Sequence, residues 1–405
     1  LHDALPIYLI ADPAAAIIER ARATKAKLLA VTVMPGPQIR QAVPVCKRVK
    51  AALPDLTILW GGYFPTQHYE VTLRDGCVDY IIQGQGEAPF RTFVDRLHNG
   101  GSLTDIPSLV HRSGDDVIVN DRAPVVSLNK LPWFPYDRLD VNRYVGRSYL
   151  GDRVLSHTTS FCCPFACTYC ASQGLWGRTW RNRSIDNVID ELTLLARAFG
   201  VREFHFEDDE LLANEARVLE LCDRIASADL GIAWSLPNGV RTNAINDRVA
   251  AAMARAGCYE VGLGIDAPFE HQQRRVKKPR KPGTTEAAIA TIQRHGMEVR
   301  GFWILGHDVD TEADVERQIE YILSLTAEFG AFGVSAPLPG SPDFETFKAS
   351  IGDLDDFDWN RISYFKALDT PNISRDRLQA MLRELVLRFY LRPRQMRAVL
   401  RRVRP

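Results

Sequence analysis

Residues 163–170 read Cys-Pro-Phe-Ala-Cys-Thr-Tyr-Cys, and this stretch decides how we interpret the rest of the chain. Cys163, Cys167 and Cys170 follow the spacing C-x3-C-x2-C, which places three thiolates on one tight loop. Thiolate is the ligand that iron–sulfur clusters use. Four cysteines would saturate every iron of a cluster, whereas three leave one iron open to another ligand. The spacing therefore predicts an iron–sulfur cluster with a vacant coordination position.

A zinc knuckle and a set of buried thiols are the alternatives to a cluster at these cysteines. A structural zinc site needs a fourth Cys or His at short range. Cys162 is adjacent to Cys163 and would point the wrong way, and His205 is distant in sequence. A disulfide framework would spread the eight cysteines more evenly, whereas four of them fall within 162–170. The clustering favours a metal, with Cys162 as a bystander.

The cysteines follow the first strand of an α/β series that begins near residue 153. Strands are predicted at Val154–Thr159, Glu203–Glu207, Ile232–Leu236, Glu260–Ile265, Val299–Ile304 and Ala331–Ala336. Helices are predicted between these strands, and a basic helical tail at Ser374–Val403. Six strand–helix repeats are too few for a closed eight-fold barrel. The count therefore predicts a partial (β/α)6 barrel.

Upstream of this series the chain predicts a second, smaller α/β domain. Apolar strands end at a turn or at glycines, and a helix follows each of them, as in a doubly wound, Rossmann-like parallel sheet. Ligands of such sheets bind at the carboxyl ends of the strands. Gly61, Gly62 and Gly84 lie at such ends.

The cysteine motif resembles that of the radical S-adenosylmethionine (SAM) superfamily. Tyr169, between the second and third cysteines, also fits that family, where an aromatic residue covers the cluster. The resemblance implies a 4Fe–4S cluster whose open iron is chelated by the amino and carboxylate groups of SAM. Electron transfer then cleaves SAM to a 5′-deoxyadenosyl radical.

The same resemblance implies which residues contact SAM. Asp208 and Asp209 take the place of a Gly-Gly-Glu segment that holds the SAM amino group, although a solvated or helix-capping role is the alternative. Arg241 suits the SAM carboxylate, unless it is a plain surface arginine. Asp266 stands where the family often has a Glu-Ser pair and is assigned to SAM. His307, at the end of the fifth strand, is a weaker candidate that faces substrate or merely satisfies a hydrogen bond.

The upstream domain resembles a cobalamin-binding domain. The resemblance rests on Thr32, on residues 60–66 (Trp-Gly-Gly-Tyr-Phe-Pro-Thr) and on residues 78–87, where Gln85 replaces a usual Glu. It implies that Thr32, Gly61, Gly62 and Gly84 contact cobalamin; ordinary turn chemistry is the alternative for the glycines. Some such domains supply a lower axial His from an Asp-x-His-x-x-Gly segment, which this sequence lacks.

Residues 1–7 (LHDALPI) have the character of a sequence artefact, and we expect the first domain to be truncated. The predicted organisation, in chain order, is 1–7 artefact, 8–105 cobalamin-binding domain, 106–150 linker with a small hairpin, 151–345 radical SAM domain and 346–405 C-terminal helical extension.

These features together predict a cobalamin-dependent radical SAM enzyme that methylates an unactivated carbon of a small-molecule or lipid substrate. The alternatives are a radical oxidative cyclase of the tetrapyrrole-cyclase kind and a non-enzymatic cobalamin or Fe–S carrier. Basic and acidic residues both number 50, which argues against a nucleic-acid partner. We expect a cytoplasmic protein without a transmembrane segment, reduced by a flavodoxin or ferredoxin type of donor. The basic tail is expected to pack or to be solvated in preference to anchoring in a membrane.

Overall fold

A computed structural model describes residues 10–402, apart from Gly36, Tyr149, Asp152 and 352–361. The expected artefact at 1–7, the first residues of the predicted cobalamin-binding domain and parts of the predicted C-terminal extension lie outside these residues. Within them the chain forms two compact units. The first unit comprises the described residues up to Leu131 together with 174–176, 339–351 and Ile362, and the second comprises the remainder.

The strands and helices of the described residues alternate along most of the chain. The strands are β1 Leu28–Thr32, β2 Thr57–Gly61, β3 Tyr80–Ile82, β4 Leu109–Ser113, β5 Asp116–Val119, β6 Val154–His157, β7 Ser160–Phe161, β8 Arg181–Asn182, β9 Glu203–Phe206, β10 Ala233–Val240, β11 Cys258–Asp266, β12 Glu298–Leu305 and β13 Phe329–Val334. The helices are α1 Pro13–Thr24, α2 Pro37–Ala52, α3 Tyr63–Gln67, α4 Tyr69–Arg74, α5 Glu87–Asn99, α6 Ser172–Trp176, α7 Ile185–Ala198, α8 Glu215–Ser227, α9 Asp247–Arg255, α10 Glu270–Arg275, α11 Thr284–Arg294, α12 Glu312–Ser324, α13 Pro342–Ile351, α14 Arg375–Tyr390 and α15 Pro393–Arg402.

The first unit is built on a sheet in the order β1-β2-β3-β4-β5. The pairs β1–β2 and β2–β3 are parallel, as predicted, and their apolar residues form the core with α1 and α2. The hairpin expected inside the 106–150 linker is present as β4 and β5, but it belongs to this sheet because β4 pairs antiparallel with β3. Burial of Leu109 and Val110 holds it there. The first compact unit accordingly continues to Leu131, beyond the predicted domain end at residue 105.

The second unit contains a sheet in the order β13-β12-β11-β10-β9-β6, and every neighbouring pair is parallel. The partial (β/α)6 barrel predicted from the sequence is therefore confirmed. The small β7–β8 ribbon was not predicted. All the carboxyl ends of a parallel sheet meet at one edge, so residues that follow these strands are brought together there.

Alternation along the strands separates an apolar face from a polar one. On β12, Val299, Trp303 and Leu305 belong to the core that packs against the helices. Arg300 and Phe302 point to the inner face of the open barrel, where they line a cavity of about 420 Å³ near the amino halves of the strands. Several helices of the second unit begin at side-chain caps; Ser184, predicted as an N-cap, accepts a hydrogen bond from the Asn187 amide at 3.3 Å.

The predicted helical tail is present as α14 and α15. Leu378, Leu382 and Leu385 of α14 are buried in the core of the second unit. Among the described residues, no helix combines the length and the apolar character that crossing a bilayer requires.

Candidate functional site

The cysteine loop leaves β7 through a sharp backbone turn at Cys162. Cys162 has a φ of +70°, in the left-handed region that non-glycine residues seldom adopt. Its amide donates a hydrogen bond to Asp209 Oδ2 at 2.9 Å, and Arg181 Nη1 lies 3.4 Å from its sulfur. Cys162 is thus held by other side chains at the start of the loop, which fits its expected role as a bystander in ligation.

Cys163, Cys167 and Cys170 form no disulfide, and neither do the other five cysteines, all of which lie within the described residues. Burial raises the pKa of Cys163 to about 12 and that of Cys170 to about 11. Without a metal these groups stay protonated at neutral pH and are poor nucleophiles. Binding to iron is what would convert them to thiolates, so the donor set fits an iron–sulfur cluster better than it fits cysteine nucleophilic catalysis.

Among the described residues, neither these nor other side chains form a site for a single metal ion. In the part of the chain that the structure describes, no three His, Cys, Asp or Glu side chains converge as the ligands of one metal ion would. The three cysteines of a cluster bind three different irons and need not converge in this way.

Asp208, which follows β9, has both carboxylate oxygens occupied. Its Oδ2 accepts the Thr159 amide at 3.0 Å, and its Oδ1 accepts the hydroxyls of Thr159 at 2.7 Å and Ser160 at 2.5 Å. Asp208 is buried and ties β9 to the segment that leads into the cysteine loop. This geometry favours an anchoring role over the predicted contact with SAM. Asp209, the other predicted acid, contacts the loop itself through Cys162 and stays a candidate.

Glu210 is a site residue that the sequence reasoning missed. It is 2% exposed, its Oε2 accepts the Arg241 amide at 3.2 Å, and its Oε1 has no hydrogen-bond partner within the described residues. Burial raises its pKa to about 7. The only sequence signal was its position in the acidic run 207–210. A buried carboxylate with one oxygen unsatisfied is suited to receive a cationic ligand group.

Arg241 lies where the sequence predicted it, directly after β10 and against the cysteine loop. Its guanidinium carbon is 4.1 Å from the centroid of the Phe165 ring, between the first two cysteines. The side chain is buried, and Nη2 donates to the Pro279 carbonyl at 3.3 Å. Stacking fixes the plane of the guanidinium, which suits recognition of a carboxylate.

Asp266 ends β11 and connects a second missed residue, Lys278, to the cysteine loop. Its Oδ2 lies 2.5 Å from Lys278 Nζ and accepts the Tyr169 hydroxyl at 2.9 Å. Lys278 is buried and belongs to the basic run 277–281, where sequence alone singled out no member. The pKa of Tyr169 is raised well above its usual value by burial and by the Asp266 carboxylate. His307 is also buried, with Nε2 3.4 Å from the Asp266 carbonyl, so a hydrogen-bonding role fits it better than contact with substrate.

The residues predicted for cobalamin meet at the carboxyl edge of the first sheet. Thr32 is paired in register with Gly61. Gly62 has a φ of +91°, and a Cβ added there would lie 2.6 Å from Thr32 Oγ1. Gly84, with a φ of +71°, donates its amide to Thr66 Oγ1 at 3.0 Å. The sequence therefore located this edge correctly, and glycine is required at position 62 for both conformation and space.

The cavity on the inner face of the second sheet is electrostatically balanced. Glu260 accepts from Arg300 Nε at 2.8 Å and also pairs with Arg402. On the opposite side, Glu203 accepts from Tyr259 at 2.6 Å and lies 2.9 Å from His205 Nε2. These charged groups pair with one another, whereas Oε1 of Glu210 at the carboxyl edge has no hydrogen-bond partner among the described residues.

Two family models match the chain. The radical SAM superfamily matches residues 158–322, and the B12 binding domain matches residues 7–94. The first match contains the cysteine loop, Asp209, Glu210, Arg241 and Asp266; the second contains the glycine edge of the first sheet.

Similar proteins include both methyltransferases and a cyclase. An uncharacterized methyltransferase of Pyrococcus horikoshii is 28% identical over 356 residues, 87% of this chain and 76% of its own length. The anaerobic magnesium-protoporphyrin IX monomethyl ester cyclase of Synechocystis is 25% identical over 278 residues, 68% of this chain and 55% of that protein. The chain thus spans little more than half the length of the cyclase.

The fold is also that of a solved enzyme. The radical SAM methyltransferase TsrM of Kitasatospora setae, determined with cobalamin and a [4Fe-4S] cluster, superposes with a TM-score of 0.76 at 16% identity, covering 91% of this chain and 82% of that one. The chain therefore carries a B12 binding domain followed by a radical SAM domain, in the order that the motifs indicated, and its fold is that of a cobalamin-binding radical SAM methyltransferase.

Proposed function

We propose that this protein is a methyltransferase that uses SAM, a 4Fe–4S cluster and cobalamin to methylate an unactivated carbon of a small-molecule or lipid substrate. The chemistry that these cofactors supply is reductive cleavage of SAM to a 5′-deoxyadenosyl radical, hydrogen abstraction from the substrate carbon and methyl transfer through cobalamin. The protein itself binds, orients and shields the reacting groups.

The observation that carries the proposal is the pair of groups beside the cysteine loop. Glu210 presents a buried carboxylate oxygen without a partner among the described residues, and Arg241 presents a guanidinium stacked on Phe165. The amino acid end of SAM carries an ammonium and a carboxylate, which these two groups complement. We assign Glu210 and Asp209 to the amino group and Arg241 to the carboxylate, and Cys163, Cys167 and Cys170 to the cluster.

Asp266 is assigned to SAM less directly. Its carboxylate is already paired with Lys278 and with Tyr169, which directly precedes Cys170. Asp266 therefore holds Tyr169 in place, and only the lone pairs that these two groups leave open can accept a hydrogen bond from SAM. Lys278 supplies the opposite charge to this buried carboxylate.

Methylation is preferred to cyclisation because the Pyrococcus methyltransferase aligns over 76% of its own length at 28% identity, whereas the Synechocystis cyclase aligns over 55% of its own length at 25% identity. The cyclase relative nevertheless makes radical oxidative cyclisation the second candidate. Both reactions would use the glycine edge of the first sheet for cobalamin, at Thr32, Gly61, Gly62 and Gly84.

The proposal includes the cellular setting. A one-electron donor of the flavodoxin or ferredoxin type would reduce the cluster. The eight described cysteines form no disulfide, which suits the reducing cytoplasm.

The test is anaerobic reconstitution with iron, sulfide and hydroxocobalamin, followed by incubation with SAM and a reductant. We expect both 5′-deoxyadenosine and S-adenosylhomocysteine, because a cobalamin-dependent methyltransferase consumes SAM in two roles. S-adenosylhomocysteine that fails to appear while deoxyadenosine forms would favour the cyclase. Failure to form either product from a protein with an intact cluster would favour a carrier. Replacement of Glu207, at the same strand end, by Gln is the matched control for replacement of Glu210.

A further inference from the structure

The C-terminal helices expose a concentration of large apolar side chains. Leu387, Leu391 and Leu400 are 60%, 67% and 66% exposed, and Val386, Met396 and Val399 are exposed as well. We call these six residues the tail ridge. Scattered exposed apolar residues are ordinary on a protein surface, whereas six within fifteen positions mark an interaction surface.

Helical spacing places the tail ridge away from the protein core. Leu387 and Leu391 are four residues apart, as are Met396 and Leu400, so each pair shares a helix face. The core is contacted by other positions of the same helices, such as Leu385 on α14 and Ala398 on α15, which are buried. The tail ridge is therefore not needed for packing of the described fold.

Arginines without acidic partners flank this surface. Arg377, Arg388 and Arg394 each pair with a glutamate of the second unit. Arg383, Arg397 and Arg401, in contrast, have no carboxylate partner among the described residues. Arg383 lies one turn before Leu387, and Arg397 and Arg401 are adjacent to Met396 and Leu400.

We propose that the tail ridge and these three arginines dock the protein on the surface of an anionic lipid bilayer. Apolar side chains that enter the headgroup region, with arginines that extend to the lipid phosphates, are the features of helices that lie in a membrane interface. A second copy of the chain is a poorer occupant, because a two-fold contact through this surface would bring its unpaired arginines together. The proposal is independent of the chemistry assigned to the cofactor sites, and it revises the expectation that the tail only packs or is solvated.

The direct test is vesicle flotation of the full chain, reconstituted with its cluster and cobalamin. The probes are phosphatidylcholine vesicles and vesicles in which about one third of the lipid is phosphatidylglycerol. We expect binding to the anionic vesicles at least roughly tenfold stronger than to the neutral ones, since each arginine near such a surface adds to the attraction. Raising the salt concentration should weaken the binding.

Two variants separate the contributions of the surface. L387Q/L391Q/M396Q/L400Q removes apolar area without changing charge and should abolish binding to both kinds of vesicle. R383Q/R397Q/R401Q should remove the preference for anionic lipid. Because all seven side chains are exposed, both proteins should fold normally, which circular dichroism and the visible absorption of the cluster can check.

Matched controls are Phe134→Gln and Arg248→Gln, which change exposed residues outside the tail. Each should bind vesicles as the unaltered chain does. Equal binding to neutral and anionic vesicles, or unchanged binding by the four-glutamine variant, would overturn the proposal. A dimer in solution that the four-glutamine variant converts to a monomer would also overturn it, in favour of a second copy.

Discussion

The two sheet edges that we assign to cofactors differ in the groups that line them. Charged and polar side chains lie at the carboxyl edge of the second sheet: the Glu210 carboxylate accepts the Arg241 amide, and Asp266 joins Lys278 to Tyr169. At the corresponding edge of the first sheet, the predicted contacts are three glycines and a threonine, and the backbone is the main surface. In the function that we propose, side chains at the edge of the second sheet would recognise a small charged ligand, and the glycines at the edge of the first sheet would leave room for a large cofactor.

This contrast predicts that replacing the cluster ligands abolishes function at the edge of the second sheet and leaves cobalamin binding at the first sheet unchanged. Replacement of Cys163, Cys167 and Cys170 by alanine should abolish the absorption of the cluster and all formation of 5′-deoxyadenosine, because no other thiol lies on the loop in a position to substitute. Cobalamin binding, measured by its visible spectrum after gel filtration, should remain. Cys162→Ala is the matched control and should keep the cluster; a cluster retained by the triple variant would refute the assignment.

Glu210 should make the stability of the protein without SAM depend on pH. Its pKa in the folded protein is about 7, above the ordinary 4.5, so its stabilising contribution is complete below about pH 4.5 and is lost as the pH rises through 7. The free energy of unfolding should be measured with urea from pH 4.5 to 8 for the unaltered chain and for E210Q. The difference between the two proteins should change by up to roughly 3 kcal/mol over this range.

The same variant tests the role of Glu210 in binding. E210Q should weaken SAM at pH 8, measured by calorimetry, since the charged carboxylate is then lost. E207Q replaces a partly exposed acid at the same strand end. It should change neither the pH dependence of the free energy of unfolding nor the affinity for SAM. Equal pH profiles for E210Q and the unaltered chain would contradict the role we assign to Glu210.

Gly62→Ala should affect the first edge alone. A left-handed alanine costs about 1–2 kcal/mol, and its Cβ would also collide with Thr32 Oγ1, so we expect cobalamin binding to weaken roughly tenfold or more. Gly61→Ala is the control for folding, because its Cβ would have no atom closer than 3.7 Å. If the collision contributes, the T32A/G62A double variant should be thermally more stable than G62A. A G62A protein that binds cobalamin normally would exclude a close approach at this position.

Arg241→Lys should give the smallest effect. Lysine keeps the positive charge but lacks the planar guanidinium that stacks on Phe165. We therefore expect SAM binding to weaken roughly threefold to thirtyfold. Calorimetric titration with SAM measures it, and the cluster spectrum should not change. Unchanged SAM affinity would show that Arg241 only packs against the loop.

The sequence predicted the positions of both edges because strand ends in parallel sheets converge regardless of the details of packing. It proposed the three cysteines from their spacing, and it proposed Arg241, which directly follows a strand, from the resemblance to the family. It did not distinguish Glu210 from the other acids of 207–210, since no local pattern shows which of four adjacent carboxylates points inward.

The contacts of Asp208 and Lys278 depend on the tertiary fold, which local sequence patterns do not reveal. Asp208 is occupied by Thr159 and Ser160, which are nearly fifty residues away in sequence. Lys278 lies in a loop after α10, and only the tertiary fold brings it to Asp266. The hairpin β4–β5 was predicted, but its membership of the first sheet depended on pairing with β3, which no turn signal reveals.

The links from Asp208 to Thr159 and Ser160 have a consequence for cofactor assembly. They fasten the entry of the cysteine loop to its neighbouring strand by protein contacts alone. Iron and sulfide would therefore meet a loop whose shape is already organised, and maturation of the enzyme would require little refolding. Slow deuterium uptake at the Thr159 amide in protein that has never held iron would be the signature of such a prearranged scaffold.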